Sequence, residues 1–296
     1  FNPNNGQLSY SWYEGQLING STYCDVWWIN IPNGVPANSN VTIYMYIGNS
    51  SDNYYSQYYP YVGEAPYLSS TYGQYDNGNY VFNYYWNFNG TSAPPRINVY
   101  TSYGSVTFNN GVTIKGGTSQ TGGENGIATA VSFSPPIIVE YYGTQSTSPS
   151  GESWGWNMVG FSNYLSSSYT TPFSGGTYTL LDFEYAPNGK ASSTPNANPF
   201  TTQGGNITGG TLPTPSSNLF PLSVWTQIYT SSAYYTYQNY VNSTGYITGA
   251  SNTASLPFEI MVGNNEASYA PNGMTVYWLR VRAYPPNGVM PSIYIG

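Results

Sequence analysis

The stretch Met274–Gly288, MTVYWLRVRAYPPNG, carries the clearest strand signal in the chain. Apolar and aromatic residues alternate with polar ones until two prolines end the run, which is typical of a half-buried β-strand. Side chains two positions apart share one face of a strand, so Arg280 and Arg282 lie together. The sequence therefore predicts a late strand that closes the fold and carries two of the chain's five basic residues on one face.

The two faces of this strand differ in character. Val276 and Trp278 share the face of the arginine pair. The opposite face is the better candidate for the core and comprises Tyr277, Leu279, Val281 and Ala283. Because carboxylates are scarce, we expect each arginine to have a chosen acidic partner or to stack on a tyrosine ring. Asp182 and Glu184 are candidate partners.

The same alternation recurs in other short segments bounded by Gly, Pro and Asn. They are residues 7–12, 40–48, 105–108, 112–116, 177–185 and 258–263. Segments 75–80 and 108–112 contain Asn-Gly, the commonest signal of a tight hairpin. No repeat of 20–50 residues is evident, which argues against a propeller or solenoid. The pattern predicts an all-β protein, specifically a β-sandwich of jelly-roll topology.

The length of 296 residues exceeds that of one ordinary β domain. We predict a small N-terminal β region over residues 1–66 and a jelly-roll domain over residues 67–296, with a soft boundary near 63–72. Residues 188–221 are rich in Pro, Gly, Ser and Thr and predict a long loop that is packed as a unit or functional.

Composition points to a particular habitat. Only 6% of the residues are charged, there is no His, and Tyr contributes 34 residues. The net charge is −7 at neutral pH and reaches only +5 when all twelve carboxylates are protonated. Acid therefore causes little self-repulsion, and folding should depend weakly on pH. We infer an extracellular protein exposed to acid, with a secreted low-charge structural protein from a mild habitat as the alternative.

Several classes of protein are disfavoured. No apolar run approaches the roughly 18 residues of a membrane span. The chain begins at Phe1, so we expect that a secretion leader was removed and that the protein is extracellular or on the cell surface. The single Cys24 allows no internal disulfide and is most simply a buried small hydrophobe. The chain is not basic enough to bind nucleic acid, and no cofactor is expected.

Residues 35–66, VPANSNVTIYMYIGNSSDNYYSQYYPYVGEAP, resemble a small β domain of unknown function in archaeal secreted and surface proteins. In that family the small domain precedes a concanavalin-A-like lectin/glucanase jelly roll. Segments 79–95, 106–117 and 276–296 resemble the opening, the middle and the close of that jelly roll. The resemblance implies a fold and an extracellular location. It implies no agreed activity.

The most enzyme-like feature is the carboxylate pair Asp182 and Glu184, which share a strand face. Glucanases of the concanavalin-like fold use a Glu-x-Asp-x-Glu pattern, in which two carboxylates act as nucleophile and acid. Here Leu180 occupies the first position, so the pattern is incomplete. Glu140 could supply a third carboxylate from another strand. Our preferred interpretation is that the pair lies on a solvent face or pairs with an arginine, and that no residue is catalytic.

Metal sites are weakly indicated. Zinc and copper sites are improbable without His, and turn formation explains the oxygen-bearing residues of 50–53 and 75–80 equally well. We therefore predict no required metal.

The tyrosines of 53–61 and 231–240 point to both faces of their strands and could contact sugar rings or a protein partner. A generic Tyr-rich surface is the alternative.

Glycosylation sequons occur six times, at about the frequency that this composition gives by chance. An exposed sequon in a secreted protein is nevertheless an expected glycan acceptor. The candidate acceptors are Asn19, Asn40, Asn49, Asn89, Asn206 and Asn242.

The N-terminus suggests an assembly hypothesis. Residues 7–12 form a short alternating segment in which Leu8, Tyr10 and Trp12 share a face. Such a strand can pair within its own fold or complete a sheet of the next subunit. Head-to-tail donation does not close on itself and builds a filament. Both readings stay open.

These features give three functional hypotheses. The preferred one is a non-catalytic structural subunit of an archaeal extracellular filament or surface layer, which associates into a homopolymer. The alternative is a lectin-like module that binds surface glycans. A glycoside hydrolase using Asp182 and Glu184 ranks third.

Overall fold

The computed structural model describes most of the chain. The described residues are 6–19, 22–49, 51–102, 104–116, 123–146, 155–163, 165, 178–185, 195–201, 206–208, 219–248, 254–264, 273–290 and 292–293. In the strands at 178–185, 195–201, 206–208 and 241–248 the description covers the backbone alone.

Nearly all regular structure in the described residues is β. The N-terminal part contains β1 (Ser11–Asn19), β2 (Thr22–Ile29), α1 (Tyr54–Tyr58), β3 (Val62–Glu64) and α2 (Gly78–Val81). The strands that follow are β4 (Tyr84–Asn87), β5 (Ile97–Tyr100), β6 (Ser105–Phe108), β7 (Val112–Lys115), β8 (Gly123–Phe133), β9 (Ile137–Ser146), β10 (Gly155–Ser162), β11 (Tyr178–Tyr185), β12 (Pro195–Thr201), β13 (Asn206–Thr208), β14 (Leu219–Tyr229), β15 (Ala233–Gln238), β16 (Val241–Thr248), β17 (Leu256–Asn264) and β18 (Gly273–Ala283). Short 3₁₀ turns lie at Pro66–Leu68 and Pro286–Gly288.

Two antiparallel sheets form a sandwich. The smaller has the strand order β12-β11-β10-β17-β8-β5, and the larger has the order β13-β16-β15-β14-β9-β18-β7-β6, with β4 also paired to β18. Inner-face side chains of both sheets fill one apolar core, among them Val159 and Ile260 from the smaller sheet and Tyr141 and Leu279 from the larger. This all-β sandwich of two antiparallel sheets confirms the predicted fold class.

The closing strand β18 contains a bulge. Val276 pairs with Gly143, but Trp278 pairs with the adjacent residue of β9, so Tyr277 is an extra residue. A Cβ on Gly143 would lie 2.6 Å from the carbonyl oxygen of Thr275, so glycine permits the close approach there. The carbonyl oxygen of Tyr277 accepts hydrogen bonds from the amide of Phe88 and the hydroxyl of Tyr72.

The bulge changes which residues share a face. Val276 lies in the sandwich core with Leu279 and Val281, while Trp278 packs on the opposite, outer face. The inward placement of Leu279 and Val281 is confirmed. The placement of Val276 with Trp278 was wrong, because strict alternation does not continue through an extra residue.

The N-terminal part covers this outer face. Strands β2, β1 and β3 form a small sheet, in which β1 is antiparallel to β2 and parallel to β3. Trp12 and Phe82 pack against Trp278 and Val224 of the larger sheet in a second apolar cluster. The sandwich therefore has one outer face buried beneath its own N-terminus. The division at residue 66 stays a prediction.

Other local predictions had mixed outcomes. Strands β6 and β7 form the hairpin predicted at 108–112. The Asn-Gly at 77–78 instead leads into α2, and residues 40–48 are in no ladder of the described sheets. The predicted loop at 188–221 contains β12 and β13, whose backbones pair with β11 and β16. The prolines of this segment indicated a loop, but Pro is tolerated in a strand at the end of a sheet, such as β12.

Candidate functional site

The arginine pair of β18 lies at the buried outer face. Arg280 is fully buried, and its guanidinium carbon lies within about 5 Å of four aromatic rings. The distances to the ring centroids are 4.3 Å for Trp28, 4.7 Å for Trp278, 4.8 Å for Phe82 and 5.3 Å for Trp12. Three of these rings come from the N-terminal part, so this cation–π cage joins it to the sandwich.

Two glutamates complete the cluster. Arg280 pairs with Glu14 of β1 at 2.7 Å and with Glu140 of β9 at 2.8 Å. Arg282 pairs with the other oxygen of Glu140 at 2.9 Å. Tyr240 donates its hydroxyl to Glu14 at 2.6 Å and accepts from Arg280 at 2.6 Å. We name these five residues the arginine cluster.

The charges of the arginine cluster balance, with two guanidinium groups and two carboxylates. Burial alone would raise the pKa of Glu140, but Arg280 and Arg282 lower it to about 2. Burial lowers the pKa of Arg280, and the carboxylates of Glu14 and Glu140 outweigh that effect and raise it. Arg280 therefore stays charged, and Glu140 is ionised down to strongly acid pH.

The predicted acidic partners of the arginine pair were wrong. Glu14 and Glu140 hold these places, whereas Asp182 and Glu184 lie on β11 of the smaller sheet. Sequence analysis missed Glu14 because it lies more than 200 positions from the arginines along the chain. The only available signal was the scarcity of carboxylates.

The hydrolase candidates do not meet in one sheet. Asp182 and Glu184 are alternate residues of β11, whose side chains lie outside the described residues. Glu140 belongs to β9 of the larger sheet and is fully buried, with both carboxylate oxygens held by arginines. A catalytic role for these residues stays untested.

The N-terminal assembly segment lies against its own chain. Trp12 is buried on β1, and its ring packs against Trp278. Tyr10 stacks between Tyr61 and Tyr80, with 4.9 Å to each ring centroid, while Leu8 is exposed. Strand pairing starts at Ser11, later than predicted.

Sequons occupy different environments. Asn40, Asn49 and Asn89 are exposed. Asn19, Asn206 and Asn242 lie in strands, and their side chains are outside the described residues.

The predicted burial of Cys24 was wrong, because it is exposed on β2 at the end of the small sheet.

A groove opens beside the arginine cluster, between the N-terminal part and the sandwich. Its cavity volume is about 520 Å³, within the range of small-ligand sites. We name it the aromatic groove. Its lining is Tyr59, Gly73, Asp76, Asn79, Phe82, Asn83, Tyr84, Tyr85, Trp86, Asn87, Pro94, Pro95 and Arg96.

The floor of the aromatic groove is fixed by Asp76. This buried carboxylate accepts hydrogen bonds from the indole of Trp12 at 2.8 Å, the amide of Gly78 at 3.0 Å and the side chain of Asn87. Burial raises the pKa of Asp76. Trp12 thus contacts Asp76 at the groove and Arg280 in the cluster, so the same residue supports both sites.

The rim of the aromatic groove is less constrained. Asn79, Asn83 and Arg96 are exposed, while Tyr84 stacks on Trp86 with 6.2 Å between ring centroids. Arg96 has a φ of 66°, a left-handed conformation that costs a non-glycine residue about 1–3 kcal/mol. Within the described residues its guanidinium has no ion-pair partner. Sequence analysis missed this site, whose only signal was the density of Asn and aromatic residues in 77–90.

Membrane-spanning helices and clusters of metal ligands are absent from the described part of the chain. No helix there is long and apolar enough to cross a membrane. The same residues contain no group of three or more His, Cys, Asp or Glu that could hold a metal ion.

No protein-family model matches the chain. An 80-residue stretch, 27% of the chain, is 49% identical to uncharacterized protein 562 of Sulfolobus islandicus rod-shaped virus 1. The chain spans 13% of the length of that viral protein.

Solved structures similar to this chain include a carbohydrate recognition domain and β-glucanases. The Emp47p carbohydrate recognition domain has a TM-score of 0.46 and 12% identity, covering 67% of this chain and 94% of its own. A putative β-glucanase from Mycobacterium abscessus has a TM-score of 0.42 and 13% identity, covering 68% and 100%. The Bacillus licheniformis β-glucanase has a TM-score of 0.40 and 12% identity, covering 68% and 97%. The likeness is one of fold alone.

Proposed function

We propose that this chain is a non-catalytic extracellular protein that binds a short glycan in the aromatic groove. The observation that carries the proposal is the combination, in one cavity, of the exposed ring of Tyr59 with exposed amides and with Arg96, which has no ion pair among the described residues. Such a site differs from the arginine cluster, where every charge is already neutralised.

The chemistry of the groove suits a sugar. The exposed ring of Tyr59 and the half-buried ring of Tyr84 offer apolar surface to the C–H faces of a pyranose. The amides of Asn79 and Asn83 can each donate to and accept from hydroxyl groups, and Arg96 adds charge-assisted donors. Asp76 is largely buried at the floor of the groove and serves to position Asn87 and the Gly78 amide. No second free carboxylate faces it in the described lining, which favours binding over hydrolysis.

A glycan array probed with the purified full chain tests this function. The wild type should bind a defined subset of glycans, and the double variant Asn79→Ala/Asn83→Ala should lose that binding. Asn109→Ala removes another exposed amide, at the β6–β7 turn, which does not line the groove, and should bind like the wild type. Binding that survives in the double variant would place the glycan elsewhere.

The second candidate function is a structural subunit of an extracellular filament or surface layer, as the sequence suggested. The observation that favours it is the exposure of two nearby apolar side chains, which are 57% exposed for Met45 and 85% exposed for Ile47. The glycans on Asn40, Asn49 and Asn89 would then coat the assembled surface. Electron microscopy of the native material tests this role, since a uniformly monomeric sample would exclude it.

Donor-strand exchange is a specific form of this role. The β1 strand of a neighbouring copy would then place its Trp12 in the contacts that Trp12 makes here with Trp278 and Phe82. Deletion of residues 1–13 should leave only monomers if assembly uses this strand. Assemblies that persist after the deletion would show that another surface is used.

A further inference from the structure

Arg96 gives the aromatic groove a positive charge in a chain that has few of them. The chain contains five basic residues. Two of them, Arg280 and Arg282, are neutralised by carboxylates in the arginine cluster. Lys115 is exposed on β7 and does not line the groove. Among the described residues, Arg96 is therefore the one basic side chain of the groove, and it is exposed there without an ion pair.

The backbone on both sides of Arg96 is held in place. The carbonyl oxygen of Pro95 accepts a hydrogen bond from the indole of Trp86 at 2.9 Å, and the carbonyl oxygen of Arg96 accepts one from the amide of Ala130 at 2.8 Å. Between these two fixed peptide groups, Arg96 has a φ of 66°. A left-handed conformation at a non-glycine residue persists only when its surroundings determine it, and such strain is common at binding sites. The direction in which the Arg96 side chain leaves the backbone is thus set before any ligand arrives.

The rest of the lining does not neutralise Arg96. Asp76 is the one carboxylate of the lining, is 7% exposed, and accepts hydrogen bonds from three donors of the protein itself. Burial raises the pKa of the hydroxyl groups of Tyr59 and Tyr85, so both are uncharged at neutral pH. An anionic group that enters the groove beside Arg96 therefore meets a guanidinium whose charge has no partner among the described residues.

We propose that the glycan of the aromatic groove is acidic and that Arg96 binds its carboxylate or sulfate group. A guanidinium presents parallel N–H donors in a plane, which match two oxygens of such a group. The ring of Tyr59 and the amides of Asn79 and Asn83 keep the contacts with the sugar that are proposed above. The inference rests on that proposed function and adds the charge of the ligand.

The preference for an acidic glycan has to come from this local contact. The whole chain has a net charge of −7 at neutral pH, so its overall field repels anions. Hydrogen bonds between a guanidinium and a charged oxygen are stronger than those to a neutral hydroxyl group. An acidic glycan should thus bind more tightly than its neutral counterpart only while Arg96 is present.

A glycan array built from matched pairs tests the charge of the ligand. Each pair consists of a uronic acid oligosaccharide and its carboxyl-reduced form, or of a sulfated oligosaccharide and its desulfated form. The purified full chain should bind the acidic member of a pair at least about tenfold more tightly than the neutral one. The two kinds of pair distinguish a carboxylate ligand from a sulfate ligand.

Three variants tested by calorimetry on the best pair assign the preference to one side chain. Arg96→Gln should bind the acidic and the neutral member about equally. Arg96→Lys should keep part of the preference, because lysine keeps the charge and loses the planar pair of donors. Lys115→Gln removes an exposed positive charge outside the groove and should bind like the wild type.

The possible failures of the two proposals differ. Equal binding of acidic and neutral members by the wild type would overturn the acidic ligand and leave the groove as a glycan site. A preference that survives in Arg96→Gln would do the same. A wild type that binds no member of the array would remove both proposals, as would binding that survives in Asn79→Ala/Asn83→Ala.

Discussion

Two arginines show how this chain uses its few positive charges. Arg280 lies beneath the N-terminal part, paired with two glutamates and surrounded by four aromatic rings. Arg96 lies at the rim of the aromatic groove, exposed, in a left-handed backbone conformation and without an ion pair among the described residues. The positive charge of Arg280 is neutralised by carboxylates inside the molecule, whereas that of Arg96 has no such partner among the described residues.

The difference teaches which of the two sites is available to a ligand. A buried, charge-balanced cluster gains little from another partner, and breaking it exposes uncompensated charge. An exposed arginine in a strained conformation can be used for binding at no cost to the core. We therefore assign stability to the arginine cluster and recognition to the aromatic groove, and four predictions test that division.

The largest expected effect is that of Arg280→Met. Methionine fills part of the same volume but leaves Glu14 and Glu140 buried with their main partner removed. Breaking a buried pair in this way costs about 3–5 kcal/mol of the free energy of unfolding. Urea denaturation at neutral pH measures the loss. Arg282→Met is the matched control, because Arg282 is partly exposed and its removal leaves Arg280 on Glu140. Equal losses in the two variants would contradict a central role for Arg280.

The second effect is on acid stability. The pKa of Glu140 is about 2 in the folded protein against an ordinary value of 4.5, so its ionised form is the stabilised one. Its contribution is fully present above about pH 4.5 and is lost as the pH falls towards 2, by about 3 kcal/mol in total. Asp76 behaves in the opposite way. Burial raises its pKa, so its ionised form is destabilised in the folded protein and protonation in acid removes that destabilisation.

Glu140→Gln separates these contributions. The variant should be less stable than the wild type at neutral pH and should lack the additional loss between pH 4.5 and 2. Thermal unfolding followed over this pH range checks the slope. A Glu140→Gln profile parallel to that of the wild type would mean that another group controls acid stability.

The third effect is that of Tyr240→Phe, which removes one hydroxyl from the arginine cluster. That hydroxyl bonds both Glu14 and Arg280, so its loss should cost about 2 kcal/mol of unfolding free energy. Tyr100→Phe is the control, since the structure records no hydrogen bond for the Tyr100 hydroxyl in the described part of the chain. Chemical denaturation of both variants gives the comparison, and equal values would mean that the Tyr240 hydroxyl is not structural.

The fold could be predicted from the sequence because its signals are local. Alternation and turn residues identified the strand of β18 and the β6–β7 hairpin. The errors arose where the actual strand pairing differs from what the alternation of apolar and polar residues predicts. The bulge at Tyr277 moved Val276 to the core, and residues 40–48 have a strand pattern but belong to no ladder of the described sheets.

The sites were harder to predict because they join distant segments. Arg280 was identified as a paired residue, but Glu14 reaches it only when the N-terminal part folds over the sandwich. The aromatic groove likewise depends on packing that brings Tyr59 near Arg96. Periodicity gives the face of a strand, and it gives no information about what covers that face.

The fourth and smallest effect on stability is also the most direct test of the division between the two arginines. Arg96→Gly removes the guanidinium and relieves the left-handed conformation, so its unfolding free energy should be unchanged or higher by about 1 kcal/mol. Asn110→Gly gives similar relief at φ 51° on the β6–β7 turn, which does not line the groove. The decisive measurement is the affinity of both variants for the glycan bound by the wild type. Arg96→Gly should bind at least about tenfold more weakly than Asn110→Gly, and equal affinities would contradict the assignment of recognition to the aromatic groove.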